Sequence, residues 1–184
     1  MGTKYLSCAD TAKLVRKALK AAFPGVKFSV RSKTYSGGAS IDINYTDGPT
    51  QSEVNAVVDQ FQGADFDGMQ DLKNYRGDTL LDGEMVSFGA DFIFANRRYS
   101  PEFTRLVGEA YAAETGWTMP SINPKWGQFE RDYTQPVPGG RDPVADWFNR
   151  RLWATSEGSL QKPEPKAEQA KPASYAFGGM VVPV

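Results

Sequence analysis

Any chemistry in this 184-residue chain has to be done without histidine. No Ser–His or Cys–His nucleophile pair, no imidazole acid or base and no histidine metal ligand can be assembled. A single cysteine, Cys8, excludes an internal disulfide and, with histidine absent, a structural zinc site. What remains are carboxylates, lysines, arginines and tyrosines. No spacing among them points to catalysis, so no catalytic residue, metal or cofactor is expected.

The cations are better placed for binding. Lys13, Arg16, Lys17 and Lys20 recur at i, i+3, i+4 and i+7 and share one helix face. Lys27, Arg31 and Lys33 come next in a strand pattern, with Tyr35 beside them. Arg16, Lys17, Lys20, Arg31 and Lys33 could take phosphates, and Tyr35 could stack on a base. The alternative is an ordinary solvated basic face that pairs with acids elsewhere. The set lacks the aromatic motif of an RNA-recognition sheet.

Arg97-Arg98-Tyr99 stands just before a helix start at Ser100-Pro101-Glu102. Guanidinium groups beside a helix N-terminus make an anion site. Strand alternation lets only one of the two arginines face a given ligand. The other is expected to pair with Asp91 or Glu102.

An acidic cluster lies upstream: Asp65, Asp67, Asp71, Asp78, Asp82 and Glu84. It could hold Mg²⁺ or Ca²⁺, although DFDGMQD departs from the EF-hand spacing. It could also imitate nucleic-acid phosphate, or simply solvate turns. Asp65, Asp67 and Asp71, with Trp117 and Trp126, form the candidate surface for a protein partner. Ser36-Gly37-Gly38 is too short for a phosphate loop and reads as a hairpin turn.

Charge is segregated along the chain. Residues 1–33 hold eight Lys/Arg against one acid, a net +7, and residues 34–96 hold two against eleven, a net −9. The whole chain is close to neutral at −1. Such asymmetry implies separate basic and acidic patches. No apolar run reaches the ~18 residues that span a bilayer. The first residues carry no apolar signal core, so a cytoplasmic location and no membrane partner are expected.

The elements that must position these groups can be read from periodicity. Ser7 caps a helix to about Ala22, with Thr11, Val15, Ala18, Leu19 and Ala22 facing inward. Val26, Phe28 and Val30 then alternate with polar residues, and Ile41, Ile43 and Tyr45 do so in a second strand, which predicts an antiparallel hairpin. Thr50-x-x-Glu53 is a capping box, with Val54, Val57, Val58 and Phe61 on one face of the helix behind it. A short helix is expected around Met69 to Tyr75. Val86 to Tyr99 reads as one central strand with Val86, Phe88, Ala90, Phe92 and Phe94 on one face. Ser100 and Pro101 open a helix that Gly116 ends. Residues 117–141 form an extended aromatic arm, and Asp142-Pro143 opens a last helix. The Lys/Pro/Glu/Ala/Gln-rich segment from 157 predicts disorder, ending in the apolar tip AFGGMVVPV.

These expectations divide the chain into an α+β domain over 1–116, an arm and helix over 117–156, and a tail over 157–184. The fold class is α+β, a small antiparallel sheet of about three strands with helices on one face, in the order α-β-β-α-β-α.

Several stretches together resemble a known family: YLSCADTAKLVRKALKAAFPGVKFSVRS, YSGGASIDINYTDGPT, FDGMQDLKNY and VSFGADFIFANRRYSPEF. They are similar to a large polyvalent-protein-associated domain, the twenty-ninth of its series, over about residues 4–115. The resemblance implies a mobile genetic element, phage or plasmid, and a cytoplasmic location in a bacterial host. It implies an accessory role, including protection against host defences. No catalytic residue is carried over from it. The leading expectation is therefore a non-enzymatic binding module for nucleic acid or a nucleic-acid-handling host complex, acting against host defence. A protein-binding inhibitor that uses the acidic surface is the alternative, and a carboxylate- or metal-dependent enzyme is third.

Overall fold

The computed structural model describes residues 2–160. The part of the expected tail past residue 160, including AFGGMVVPV, lies outside the described residues. The fold is α+β, as the periodicity indicates, built from small sheets of two or three strands and four helices.

The central sheet comprises β2 (Ser29–Tyr35), β3 (Gly38–Thr46) and β8 (Phe92–Arg98), in the order β2-β3-β8. The β2–β3 hairpin is antiparallel and closes through Ser36-Gly37, with Gly37 at φ 90°. Only glycine adopts that φ without penalty. The β3–β8 pairing is parallel, so the sheet is mixed rather than antiparallel. The reason lies in the connection, because α2 (Gln51–Val58) and the residues between it and β8 carry the chain back to the starting end.

Two helices cover one face of this sheet. One is α1 (Cys8–Ala22), capped by Ser7 Oγ, which accepts from the Asp10 N–H at 3.2 Å. The other is α2, with the full Thr50–Glu53 capping box in place. Ala12, Val15 and Leu19 of α1, Val54 and Val58 of α2, and Phe61 meet Ile41, Ile43, Tyr45, Ile93 and Ala95 of the sheet in one core. Gln51 Nε2 donates to Ala95 O (2.7 Å) and Gln62 Oε1 accepts from the Ile93 N–H (3.1 Å), which closes the outer edge of β8.

The run from Val86 to Tyr99 is not one strand. It breaks at Gly89–Asp91 into β7 (Glu84–Phe88) and β8, which belong to different sheets. β7 pairs in parallel with β1 (Lys4–Leu6) and antiparallel with β6 (Thr79–Leu81). The break resets the alternation. Val86 and Ala90 are buried, but beyond them Asp91, Ile93 and Ala95 are, while Phe94 is exposed. A slip of one residue sends every later side chain to the other face. Phe92 and Phe94 therefore lie on the face away from α1 and α2.

The helix expected at Met69–Tyr75 is instead a hairpin, β4 (Ala64–Asp67) with β5 (Leu72–Tyr75). Asp67 Oδ1 accepts from the backbone N–H groups of Met69 and Gln70 and makes the turn.

α3 (Pro101–Thr115) and α4 (Val144–Ala154) form a second core with the segment between them. Phe103, Val107, Phe129, Phe148 and Leu152 are its centre. The expected aromatic arm packs here. Gly108 permits the contact, since a Cβ there would meet Met119 Sδ and the Phe129 ring. Asn149 holds the arm by donating to Phe129 O and accepting from its N–H, both at 2.9 Å.

Candidate functional site

Among the described residues no helix packs on the face of the central sheet away from α1 and α2. In the paired registers Arg31, Asp42 and Phe94 form one row across β2, β3 and β8, and Lys33, Ser40 and Phe92 form the next. Ser29, Asn44 and Asn96 make a third row, and Thr46 sits beside Arg98. Neighbouring strands stand about 4.8 Å apart, and side chains on one face repeat every ~6.6 Å along a strand. Phe92 and Phe94 are side by side, with ring centroids 6.1 Å apart and planes at 28°. Phe94 is 50% exposed and Tyr35, at the hairpin end of the same face, 45%.

Arg31, Lys33 and Arg98 are exposed, and among the described residues none of them forms an ion pair or a side-chain hydrogen bond. The carboxylate of this face, Asp42, lies between Arg31 and Phe94. Three cations and three aromatic rings thus share a surface with small polar groups between them.

A hairpin borders this surface at the Tyr35 end. Lys73 of β5 reaches the buried Asp91 carboxylate at 2.7 Å, and Asp91 also accepts from the Ala39 N–H at 2.8 Å. Asp91 raises the Lys73 pKa above its ordinary value chiefly through that hydrogen bond. The ammonium lies 4.6 Å from the Tyr75 ring centroid and 6.0 Å from that of Phe92. The aromatic surface therefore continues onto the hairpin, where Tyr75 is exposed.

The remaining candidates are placed elsewhere. Arg97 points to the covered side. Its Nε donates to Asp47 O (3.0 Å), Nη2 to Gly48 O (3.1 Å) and Thr155 O (2.8 Å), and Nη1 to Trp153 O (3.5 Å). The guanidinium also lies 4.9 Å from the Tyr99 ring and 5.2 Å from that of Phe103. It joins the two cores, and its partners are carbonyls rather than the expected Asp91 or Glu102. Lys17 and Lys20 project from the exposed side of α1, across the sheet from the open face. Arg16 donates to Val30 O at 2.7 Å and closes the free edge of β2.

The acids divide in the same way. Asp65 is bound by Arg76 at 2.6 Å, and that hydrogen bond holds its carboxyl below the usual range. Arg76 also reaches Asp59 at 3.0 Å. Asp67 and Asp71 stay in the β4–β5 turn, Asp71 with φ 53°. Among the described residues no three acids or thiols stand close enough together to hold a metal ion. Trp117 is half-buried against Tyr111 and Trp147, whereas Trp126 is exposed under Lys125. No helix of the described residues is long and apolar enough to cross a membrane.

Sequence reasoning missed Phe92, Phe94 and Tyr75 as surface groups. The signal was available, since Asn96 and Arg98 favour solvent and put Phe94 and Phe92, two and four residues before Asn96, on their side.

Comparison with known proteins gives a family match. The model of large polyvalent protein associated domain 29 matches residues 6–100. That span contains α1, the whole central sheet and both hairpins between α2 and β8. Neither a curated protein nor a solved structure matches the chain.

Proposed function

The chain belongs to the large polyvalent protein associated domain 29 family, a family of accessory proteins of mobile elements and not a known enzyme family, and from that premise we propose that it binds single-stranded nucleic acid on the open face of the central sheet. The observation that supports this is the juxtaposition of Arg31, Lys33 and Arg98 with Phe92, Phe94 and Tyr35 on one surface that no described helix covers. Unpaired cations track phosphates, and exposed rings accept unstacked bases. A duplex hides its base faces, so the rings favour a single strand. Bound to an element's exposed strand, the protein would shield it from host defences.

Fluorescence anisotropy with labelled single-stranded and duplex oligonucleotides over a salt series tests the reading. Single strands are expected to bind more tightly than duplex, with log affinity falling by about 0.7 per phosphate contact per unit of log salt. The triple variant Arg31→Ala/Lys33→Ala/Arg98→Ala should flatten that slope by about 2. No binding at low salt, or binding insensitive to salt, would sink the proposal.

A second reading, docking onto a partner protein, is favoured by the β4–β5 tip. Met69 is 97% exposed there, with Phe66 and Leu72 also exposed beside Asp67 and Asp71. Charge reversal at Asp67 and Asp71 separates the two readings, because it spares strand binding and abolishes capture of a protein partner.

A further inference from the structure

A groove of about 1190 Å³ opens at the end of the sheet where β2 begins and β3 and β8 end. Ser29, Arg31, Asn44, Thr46 and Arg98 line it and also belong to the open face, so the two are continuous. One wall is apolar, from Phe23, Val26 and Phe28. Lys27 joins Arg31 and Arg98 at the groove and, like them, has no ion-pair partner among the described residues. Both acids in the lining are occupied. Glu53 Oε2 accepts from the N–H and hydroxyl of Thr50, and Glu157 Oε2 accepts from the Gly48 N–H at 3.1 Å. Those donors are neutral and leave both carboxylates charged, so three cations against two acids give the lining a net charge of +1.

Tyr45 also lines the groove, but it is 3% exposed and its hydroxyl, without a hydrogen-bond partner among the described residues, is closed off from solvent. Three cations and an aromatic wall suit a ligand with an anionic part and a flat ring. The volume is ample for such a ligand, since small-molecule sites span ~300–1,000 Å³.

We infer that the groove is a nucleotide pocket, which takes the terminal nucleotide of a strand lying on the open face. The phosphate sits among Lys27, Arg31 and Arg98, and the base lies against Phe28. This inference deepens the reading above and rests on it for the strand that leads into the groove.

Titration calorimetry with adenosine 5′-monophosphate, adenosine and inorganic phosphate on the whole chain is the test. The monophosphate should bind at least tenfold more tightly than either part alone. Lys27→Ala and Phe28→Ala should each weaken it about tenfold. Lys27→Ala, an exposed substitution, should at the same time leave the melting temperature unchanged, which shows that the loss is not unfolding. Phosphate binding as tightly as the monophosphate would reduce the groove to a simple anion patch and overturn the inference. Unchanged affinity in Lys27→Ala, or no monophosphate binding at millimolar concentration, would do the same. Phe94→Ala and Lys33→Ala lie outside the groove and should weaken oligonucleotide binding while sparing the monophosphate. Oligonucleotide binding without monophosphate binding removes only the groove. Monophosphate binding without oligonucleotide binding removes only the strand.

Discussion

The two faces of the central sheet are made by the same three strands and treat their cations in opposite ways. On the covered face Arg97 spends its donors on four backbone carbonyls and lies against two rings. One residue later, on the open face, Arg98 has no partner among the described residues. The aromatics show the same division. Tyr45 is enclosed with Phe28 at 5.1 Å, whereas Phe94 faces solvent. A guanidinium satisfied by carbonyls holds structure together, and one left in water among exposed rings is available to a phosphate. The difference teaches that residue type alone does not say which cation holds the structure together and which is left in solvent, and that strand parity decides it.

The sharpest way to break this comparison is to change each arginine separately. Arg97→Met leaves the carbonyls of Asp47, Gly48, Trp153 and Thr155 without their donor and loosens the joint between the two cores. A loss of about 3 kcal/mol is expected from several weakened charge-assisted bonds. Arg98→Met should stay within about 0.5 kcal/mol of the parent protein, as exposed substitutions usually do. Denaturant unfolding of both variants measures the contrast. Equal stabilities would mean that Arg97 is not the latch its geometry describes.

Much of this arrangement was legible in the sequence, for identifiable reasons. Ser7, Thr50 and Ser100 marked three helix starts because capping is local chemistry, and all three caps are in place. Ile41, Ile43 and Tyr45 gave the correct inner face because β3 is regular throughout. The parallel β3–β8 pairing was not legible, since nothing local encodes a partner about fifty residues away. The break at Gly89–Asp91 was hidden too. Asp91 is a carboxylate inside an apolar run, and its distant partners, the Lys73 ammonium and the Ala39 N–H, hold it there. The β6–β7 hairpin did have a local signal that went unread. Asp82-Gly83 sits between two strand-like runs, both residues have positive φ, and that pair is favoured in a two-residue turn.

Of the candidate site, Arg31, Lys33, Tyr35 and Arg98 were nominated from sequence, and the fold places them on one face. Arg97 was nominated with them and went to the other side, as alternation requires for neighbours. The rings of Phe92 and Phe94 were assigned inward because the parity was carried across the break. Their placement beside the cations gives one surface both groups that the proposed strand binding calls for.

Phe94→Ala sharpens the same comparison at a second level. Base–aromatic stacking is worth about 1–3 kcal/mol per base, so affinity for a single strand should fall roughly 5- to 150-fold. The ring is half-exposed, so the unfolding free energy should change far less than for a core truncation. Anisotropy at fixed salt reads the first effect and denaturant unfolding the second. A large stability loss with unchanged binding would place Phe94 with the covered face in function, whatever its exposure.

The smallest expected effect is the response of the covered face to alkali. Burial raises the Tyr45 pKa to about 12, and burial also raises those of Tyr99 and Tyr111. An unfolded tyrosine ionises near 10. Below pH 10 both states hold the phenolic proton, and stability does not depend on it. Between pH 10 and about 12 the unfolded chain loses that proton while the folded chain keeps it. The unfolded state then binds fewer protons, so stability falls as pH rises, by at most about 1.4 kcal/mol per pH unit for each group. Thermal unfolding between pH 8 and pH 12 should therefore give a level region and then a decline. Tyr45→Phe should make the decline shallower, and its level region should sit at or above that of the parent, because an unpartnered hydroxyl has gone. A decline of unchanged steepness in Tyr45→Phe would show that the phenol ionises as freely in the folded protein as in the unfolded chain. The covered face would then be open to solvent at its lower end, and the contrast between the two faces would hold only for the arginines.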